Sequence, residues 1–386
     1  MRTLNLSVIG GSNTLMNPGY FPQMLAKAEQ RGTNVNVIAN LAIGGTTSAA
    51  GLYQLKTTDV LEKSDVLLVA TTINDNWIYG NERRPFRHWA RLYEGIIRYA
   101  LMRNPKLVIC SVILGTNNGT YLEAVPSIEA GIYYLSSWYG VDVIDVNRHL
   151  LTHYGRAVVQ TPDFYLDEGH YQRPIATSIV AEIVTEQVLA AVARGPRTAA
   201  MPPAVDAKNF AHVSTISAGT LRDISGVPLV PYKSRLFEAE AFEMGTREMS
   251  FRIEGGKLAG IMYACEPRTG VMSVTYNDKP INVATQKSGV QSGQFCFLTS
   301  MMLGDFIYGD ILDEDQSGTY RMKLHGGPAP DDLKIPASCQ PHPGEDSGSS
   351  FAILGIMHSG VMHDLSIKDL AQAEPTEKLE AERSAA

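Results

Sequence analysis

The feature that most constrains this chain is a regular alternation of strand-like and helix-like segments between Leu4 and Arg194. Residues 65–70, Asp-Val-Leu-Leu-Val-Ala, are a nearly continuous apolar run, typical of a strand buried on both faces. We predict strands over residues 4–9, 35–39, 65–70, 107–113 and 141–146, and helices over residues 21–31, 48–61, 85–103, 127–139 and 174–194. This alternation predicts a parallel sheet with helices on both faces, joined by right-handed crossovers.

Composition narrows the classes of protein to which the chain could belong. Of its 386 residues, 44% are hydrophobic and 19% charged, and the formal net charge of −7 does not fit a nucleic-acid binder. The N-terminus leads directly into a strand without a signal-peptide pattern, and no run of about 18 apolar residues predicts membrane insertion. The four cysteines are scattered without a Cys-x-x-Cys pair, so we predict no metal site. We also expect no cofactor and a cytoplasmic location. The sequence leaves open whether the chain forms a homo-oligomer.

A glycine turn follows the first predicted strand. The turn is Gly10-Gly11-Ser12, and glycine permits a sharp turn because it has no Cβ atom. A side chain placed after such a turn projects from the carboxyl edge of the sheet, where open α/β folds keep their sites. Ser12 is therefore a candidate nucleophile. The alternative is a strand-to-helix turn in which Ser12 or Asn13 caps the next helix.

Two further loops supply hydrogen-bond donors at the same edge of the predicted sheet. The second strand leads into residues 44–48, Gly-Gly-Thr-Thr-Ser, and the third leads into a loop that contains Asn74. The N–H groups of Ser12 and Gly45 and the amide of Asn74 would then surround one point and form an oxyanion hole. The alternatives are a tight turn with a helix cap in the first loop and an Asx-turn in the second.

A fourth block precedes the last predicted helix. His170 follows Asp167 by three residues, so one local turn can hold both side chains. The carboxylate would fix the tautomer of the imidazole and leave its other nitrogen to take the proton of Ser12. The alternative is that His170 is a surface or capping residue.

Together the four blocks resemble the SGNH (GDSL-like) hydrolase superfamily over residues 1–195. That family supplies Ser, Gly, Asn and His from four blocks in this order. The corresponding blocks here are Gly10-Gly11-Ser12-Asn13, the segment from Asn40 through Gly45 to Ser48, Thr72-Ile73-Asn74-Asp75, and Asp167-Glu168-Gly169-His170. The resemblance implies a flavodoxin-like three-layer α/β/α sandwich with a parallel sheet, in agreement with the strand pattern.

The resemblance also implies a reaction. Ser12 would be the nucleophile, His170 the general base and acid, and Asp167 the residue that orients the histidine. The implied oxyanion-hole donors are the Ser12 N–H, the Gly45 N–H (with Gly44 as the second choice) and the Asn74 amide. Ser12 would attack an ester carbonyl and form an acyl-enzyme, and the acyl group would pass to water or to another hydroxyl.

The chain departs from the family's pattern at two positions. Gly11 stands where the family has an aspartate before the serine, and Thr72 stands where it has a glycine. The missing carboxylate is not one of the groups that transfer a proton, so the chemistry stays available, whereas Thr72 adds bulk near the expected pocket. These departures leave an alternative open, a catalytically degenerate member that acts as a carbohydrate-binding or scaffold protein.

The segment after the third block is rich in aromatic and basic side chains. Aromatic rings such as Trp77 and Tyr79 suit a sugar face, and arginines such as Arg83, Arg84 and Arg87 can bind a carboxylate or phosphate. The alternative is that Trp77 packs in the core and that the arginines begin an exposed helix. We predict Trp77, Arg83 and Arg84 as substrate-binding residues.

The second half of the chain follows a different pattern. We predict a Pro/Ala-rich linker over residues 196–207, a β-sandwich or jelly-roll domain over residues 208–370 and a polar tail over residues 371–386. Strands are expected over residues 234–241, 249–253, 257–263, 271–276, 294–298, 318–324 and 351–358. Such a domain could bind carbohydrate, narrow the catalytic cleft or form an oligomer interface, and we favour the first role.

The sequence therefore predicts a serine esterase of the SGNH type. Its substrate would be a small acyl ester, with acetyl the preferred group, on a sugar or a glycan-related molecule. Hydrolase and O-acyltransferase activities would use the same residues.

Overall fold

The structure, a computed structural model of the chain, describes residues 2–81, 86–117, 127–196, 200–233, 237–288, 290, 297–301, 317–336, 339–340 and 349–372. It divides into two compact units whose boundary lies between His212 and Val213. Each unit is described by itself below.

The first unit contains a five-stranded sheet in which all neighbouring strands are parallel. Its strands are β1 (Arg2–Gly10), β2 (Thr33–Asn40), β3 (Val66–Ala70), β4 (Val108–Ile113) and β5 (Asp142–Asp145). Their order across the sheet is β2-β1-β3-β4-β5. Every residue of β3 and β4 is buried, which explains why their sequences are apolar without alternation. The predicted parallel sheet is confirmed.

Helices cover this sheet. They are α1 (Ser12–Leu15), α2 (Tyr20–Gln30), α3 (Ser48–Thr57), α4 (Val60–Lys63), α5 (Thr72–Asn81), α6 (Phe86–Arg103), α7 (Ser127–Tyr139), α8 (Val146–Tyr154), α9 (Arg156–Val159) and α10 (Ile175–Arg194). Helices α2 and α10 pack on each other, and α6 packs on α3 and α7. One continuous core joins alternate residues of the strands to α2 and α10. The arrangement is the predicted α/β/α sandwich.

Helix α5 corrects the prediction of a loop after β3. Its sequence, Thr-Ile-Asn-Asp-Asn-Trp-Ile-Tyr-Gly-Asn, is rich in residues of low helix propensity. Tertiary hydrogen bonds outweigh this propensity, because the Asp75 carboxylate accepts from Ser48 at the start of α3 and from Trp89 on α6. Helices α8 and α9 are also additions to the prediction.

The described part of the predicted linker packs on the first unit. The Val205 N–H donates to a Glu94 carboxylate oxygen at 2.6 Å. Arg91 Nε lies 2.8 Å from the Asp206 carboxylate. These contacts place residues 200–212 with the first unit, so the boundary falls later than the predicted start at residue 208.

Helix α10 is rich in apolar residues. By length and composition it could cross a membrane, but half of its most apolar stretch is buried inside the unit. Its buried residues belong to the same core as the sheet, as expected for the core helix of a globular unit.

In its described residues, the second unit is built mainly from antiparallel strands, and it includes the helix α11 (Ala218–Ser225). The strands are β6 (Ser214–Ser217), β7 (Val230–Lys233), β8 (Glu238–Glu243), β9 (Arg247–Glu254), β10 (Leu258–Cys265), β11 (Val271–Tyr276), β12 (Lys279–Ala284), β13 (Gln286–Lys287), β14 (Phe297–Met301), β15 (Gly318–Leu324), β16 (Cys339–Gln340), β17 (Ala352–His358) and β18 (Val361–Asp369). One sheet has the order β14-β10-β17-β8-β7 with β6 also on β17, another has the order β12-β11-β15-β9-β18, and β13 pairs with β16.

The all-β architecture of this unit is confirmed, with shifts in detail. Strands β11 and β15 have the predicted bounds, whereas the predicted strand over residues 234–241 is found as β8, four residues later at its start. Phe242, Phe251 and Tyr263 lie in the core of this unit. Of the predicted tail, residues 373–386 lie outside the described residues.

Candidate active site

Ser12 lies at the junction of β1 and α1. Strand β1 ends at Gly10, Gly11 is extended with φ −102°, and Ser12 is the first residue of α1. The turn therefore leaves the Ser12 side chain at the carboxyl edge of the sheet. Its Oγ lies 2.6 Å from Nε2 of His170, a hydrogen bond in which His170 accepts when its proton is on Nδ1.

The other ring nitrogen of His170 contacts Asp167. Nδ1 lies 2.7 Å from Oδ2 and 2.8 Å from Oδ1 of the carboxylate. Partial burial raises the pKa of Asp167, but hydrogen bonds from the Gly169 N–H and from His170 outweigh this effect and hold the pKa below its usual value. The carboxylate is therefore charged at neutral pH, and it favours the tautomer with the proton on Nδ1. Ser12, His170 and Asp167 form one hydrogen-bonded chain.

Asn13 fixes the turn that carries His170. Its Nδ2 donates to the Gly169 carbonyl at 2.7 Å, and the side chain is buried. The turn is closed by a bond from the Leu166 N–H to the His170 carbonyl, and the Asn117 N–H donates to the Glu168 carbonyl at 2.8 Å. The sequence indicated Asn13 only as a candidate helix cap. Its position directly after the candidate nucleophile, as a polar residue, is the one feature of the sequence that could have indicated this contact.

Asn74 lies on the first turn of α5. Its Nδ2 donates to the Thr46 carbonyl at 2.8 Å, which fastens the start of α5 to the glycine loop after β2. The amide nitrogen carries two hydrogens, so one remains for a second acceptor. A Cβ atom built on Gly11 would lie 2.5 Å from this nitrogen, so the amide is directly beside the residue that precedes Ser12.

The glycine loop approaches Ser12 from the other side. A Cβ atom built on Gly44 would lie 3.6 Å from the Cβ of Ser12, so the backbone of Gly44 packs against the serine. Gly45 has φ +71°, in the left-handed region, which glycine adopts without a Cβ penalty. The loop thus brings Gly44 against Ser12 and turns sharply at Gly45.

The close approach of Asn74 explains why position 11 is a glycine. Gly11 has an ordinary extended backbone, so its φ does not require glycine. The constraint is steric, because any Cβ at this position would meet the Asn74 amide at 2.5 Å. The departure from the family's Gly-Asp-Ser block is therefore matched to the position of Asn74.

Replacing Gly11 by alanine is expected to lower kcat for p-nitrophenyl acetate about 10- to 100-fold, because the added methyl group displaces the Asn74 amide from Ser12. Steady-state kinetics of the purified variant measure the effect. A matched control is Gly219→Ala on α11, where the added Cβ meets only Ser217 Oγ at 3.5 Å, an ordinary contact. Wild-type kcat in Gly11→Ala would mean that the reaction tolerates displacement of this amide.

The predicted substrate-binding residues are placed only in part. Trp77 lies on α5, one turn after Asn74, and it is 50% exposed, so it is not the core residue of the alternative interpretation. Tyr79 is buried, and its Oη lies 3.3 Å from Nδ1 of His88. Arg87 lies 3.1 Å from the Asp206 carboxylate. Arg83 and Arg84 lie outside the described residues.

Over the part of the chain that the structure describes, no three His, Cys, Asp or Glu side chains converge as a metal site would require.

Comparisons with known proteins come from structure alone, because no family model matches the chain and no curated protein matches its sequence. A two-domain esterase (CEX) active on acetylated mannans, co-crystallised with mannopentaose, matches with a TM-score of 0.62 and 13% identity over 92% of this chain and 91% of that chain. A second structure of a two-domain esterase (CEX) active on acetylated mannans has a TM-score of 0.57 and 11% identity over 94% of this chain and 93% of that chain. The acetyl xylan esterase AlAXEase matches with a TM-score of 0.40 and 19% identity, and the match covers 48% of this chain and 100% of that chain.

Because the sequence identities to these proteins are low, the similarity concerns the fold alone. The first two matches extend over both units, so they bear on the whole two-part architecture. The chain therefore has the fold of a two-domain esterase (CEX), and the predicted order of an α/β/α unit followed by an all-β unit is confirmed.

Proposed function

We propose that this chain is a serine esterase of the SGNH type that removes or transfers a small acyl group. The observation that carries the proposal is the hydrogen-bonded chain from Ser12 Oγ through both nitrogens of His170 to the Asp167 carboxylate. A serine at 2.6 Å from an imidazole that is itself held by a carboxylate is the arrangement that activates a hydroxyl as a nucleophile.

The proposed reaction has two halves. Ser12 Oγ attacks the ester carbonyl while Nε2 of His170 takes its proton, and the C–O bond to the alcohol breaks as the histidine returns that proton to the leaving oxygen. The resulting acyl-Ser12 ester is then attacked by water or by an acceptor hydroxyl, again with Nε2 as the base. Asp167 stabilises the imidazolium that forms in each half and stays ionised.

The negative charge on the carbonyl oxygen needs donors beside Ser12. We assign this role to the Ser12 N–H, to the Gly45 N–H, with Gly44 as the second choice, and to the free hydrogen of the Asn74 amide. The contact of Asn74 with position 11 and of Gly44 with Ser12 supports this assignment. Donors fixed by the fold need no reorganisation when the charge develops.

The proposed substrate is an acetylated sugar or glycan. Two observations support it: the two-domain esterase of the same fold acts on acetylated mannans, and an exposed aromatic ring lies one helical turn beyond Asn74. The ring is that of Trp77, and a half-exposed indole offers a flat apolar face on which a sugar ring can stack. In this proposal the second unit serves carbohydrate binding.

The test combines labelling with product analysis. Incubation with a fluorophosphonate probe should add the mass of one phosphonyl group to the Ser12 peptide, and Ser12→Ala should stay unlabelled. The enzyme should also release acetate from acetylated mannan or xylan faster than it releases longer acids from matched esters. Analysis with an added hydroxyl acceptor separates transfer from hydrolysis.

The competing proposal predicts a different pair of results. A degenerate carbohydrate-binding protein would show no phosphonyl adduct and no acetate release, yet it would bind the glycan in a pull-down on the insoluble polysaccharide. That combination would overturn the esterase proposal.

A further inference from the structure

Asp75 is a buried carboxylate beside Asn74, and the proposed chemistry makes no direct use of it. Its side chain has no solvent exposure, so it cannot contact a substrate. Oδ1 accepts from the N–H and the Oγ of Ser48, at 2.9 and 3.2 Å. Oδ2 accepts from Thr71 Oγ1 at 2.8 Å and from Trp89 Nε1 at 3.1 Å. Four donors from three separate segments thus converge on one carboxylate.

Three of these donors lie on segments next to candidate oxyanion-hole groups, the glycine loop and the turn before α5. Ser48 ends the glycine loop and begins α3, whereas Thr71 lies between the end of β3 and the start of α5. The same loop is bound a second time, because Asn74 donates to the Thr46 carbonyl at 2.8 Å. Two consecutive residues of α5 therefore bind the glycine loop at two points, and the loop cannot shift without α5.

Burying a carboxylate costs free energy, so the burial of Asp75 argues against an incidental role for this residue. Loss of solvent raises the pKa of Asp75 to about 6, and the hydrogen bonds from Ser48, Thr71 and Trp89 oppose this rise. A buried charge is retained where its partners satisfy it, and breaking the set leaves several unpaired donors. Such a set of hydrogen bonds fixes the positions of the donor groups to about a fraction of an ångström, and an oxyanion hole requires donors that are placed this closely.

We infer that Asp75 is a positioning residue for the oxyanion hole: its carboxylate holds the glycine loop of residues 44–48 and the helix that carries Asn74 in one fixed arrangement. The inference rests on the proposed function. It assigns no contact with substrate to Asp75, which acts through Asn74 and the loop glycines.

The test uses Asp75→Asn in the full chain. The asparagine oxygen can still accept from Ser48, but its NH2 group faces the Trp89 N–H, a donor against a donor. We expect kcat for p-nitrophenyl acetate to fall about 10- to 100-fold while KM stays within about 2-fold, because the lost interaction is one made in the transition state. The inhibition constant of phenylboronic acid, whose adduct with Ser12 places an oxygen in the hole, should rise by the same factor.

Glu94→Gln is the matched control. Glu94 is a buried carboxyl of the same unit, bonded to Tyr139 Oη and to the N–H of Val205. Both variants are expected to lower the melting temperature, but only Asp75→Asn should lower kcat and weaken boronate binding. Wild-type kcat and boronate affinity in folded Asp75→Asn would overturn the inference.

Two milder variants keep the test decisive if Asp75→Asn does not fold. Ser48→Ala and Thr71→Val each remove one hydroxyl donor, and we expect each to lower kcat about 3- to 10-fold. Unchanged kcat in both would equally overturn the inference. Ser12→Ala, assayed in parallel, separates the two proposals: if it keeps wild-type activity the esterase mechanism itself fails, whatever Asp75 does.

Discussion

Alanine in place of Ser12 or His170 is expected to lower kcat for p-nitrophenyl acetate by about 10⁴- to 10⁶-fold. Without the imidazole, nothing takes the proton of Ser12 Oγ, and without the hydroxyl no acyl-enzyme forms. Because the two groups act as one unit, the double variant should be little slower than either single variant. Stopped assays with long incubation are needed to measure rates this low.

The chain offers a matched histidine for this experiment. His153 is an exposed residue of α8, its ring centroid lies 4.1 Å from that of His149, and it takes no part in the hydrogen bonds between Ser12, His170 and Asp167. His153→Ala is expected to keep wild-type kinetics. Substantial residual turnover in His170→Ala, with the same KM and Ser12 still labelled, would show that another group serves as the base.

Alanine in place of Asn74 is expected to lower kcat about 100- to 1000-fold with a small change in KM. The amide would donate to the oxyanion, which exists only along the reaction path, so its loss raises the barrier more than it weakens substrate binding. Parallel measurements of kcat, KM and the inhibition constant of phenylboronic acid test whether the amide acts on the oxyanion and not on substrate binding.

A structural asparagine provides the comparison. Asn104 Nδ2 donates to the carbonyls of Leu61 and Ser64, at 3.0 and 2.9 Å. Asn104→Ala should therefore reduce the melting temperature and leave kcat unchanged. If Asn74→Ala raised KM and kept kcat, the amide would be a substrate-binding group, and the assignment to the oxyanion hole would be wrong.

Much of the first unit could be predicted because its pattern is local. Strands such as β3 and β4 are buried on both faces, so their composition alone marks them. The rule that sites lie at the carboxyl ends of parallel strands then brought Ser12, Asn74 and the glycine loop to one edge. The contacts of Ser12 with His170 and of His170 with Asp167 agree with that reasoning.

What could not be predicted depends on contacts between distant residues. Helix α5 has the composition of a loop, and the bonds that stabilise it come from Ser48 and Trp89, far away in the chain. The bond from Asn13 to the Gly169 carbonyl joins two turns that no local pattern connects. In the second unit, strand β18 was missed because its residues are mostly half-buried or exposed and do not alternate cleanly.

The 2.5 Å separation between a Cβ at position 11 and the Asn74 amide has an evolutionary consequence. Side-chain volume before the nucleophile and placement of that amide compete for the same space, so substitutions at the two positions are epistatic. An aspartate at position 11 would require the Asn74 amide, which is bound to the Thr46 carbonyl, to shift. Libraries at this site should therefore vary positions 11, 46 and 74 jointly, because a side chain added at position 11 alone meets the Asn74 amide.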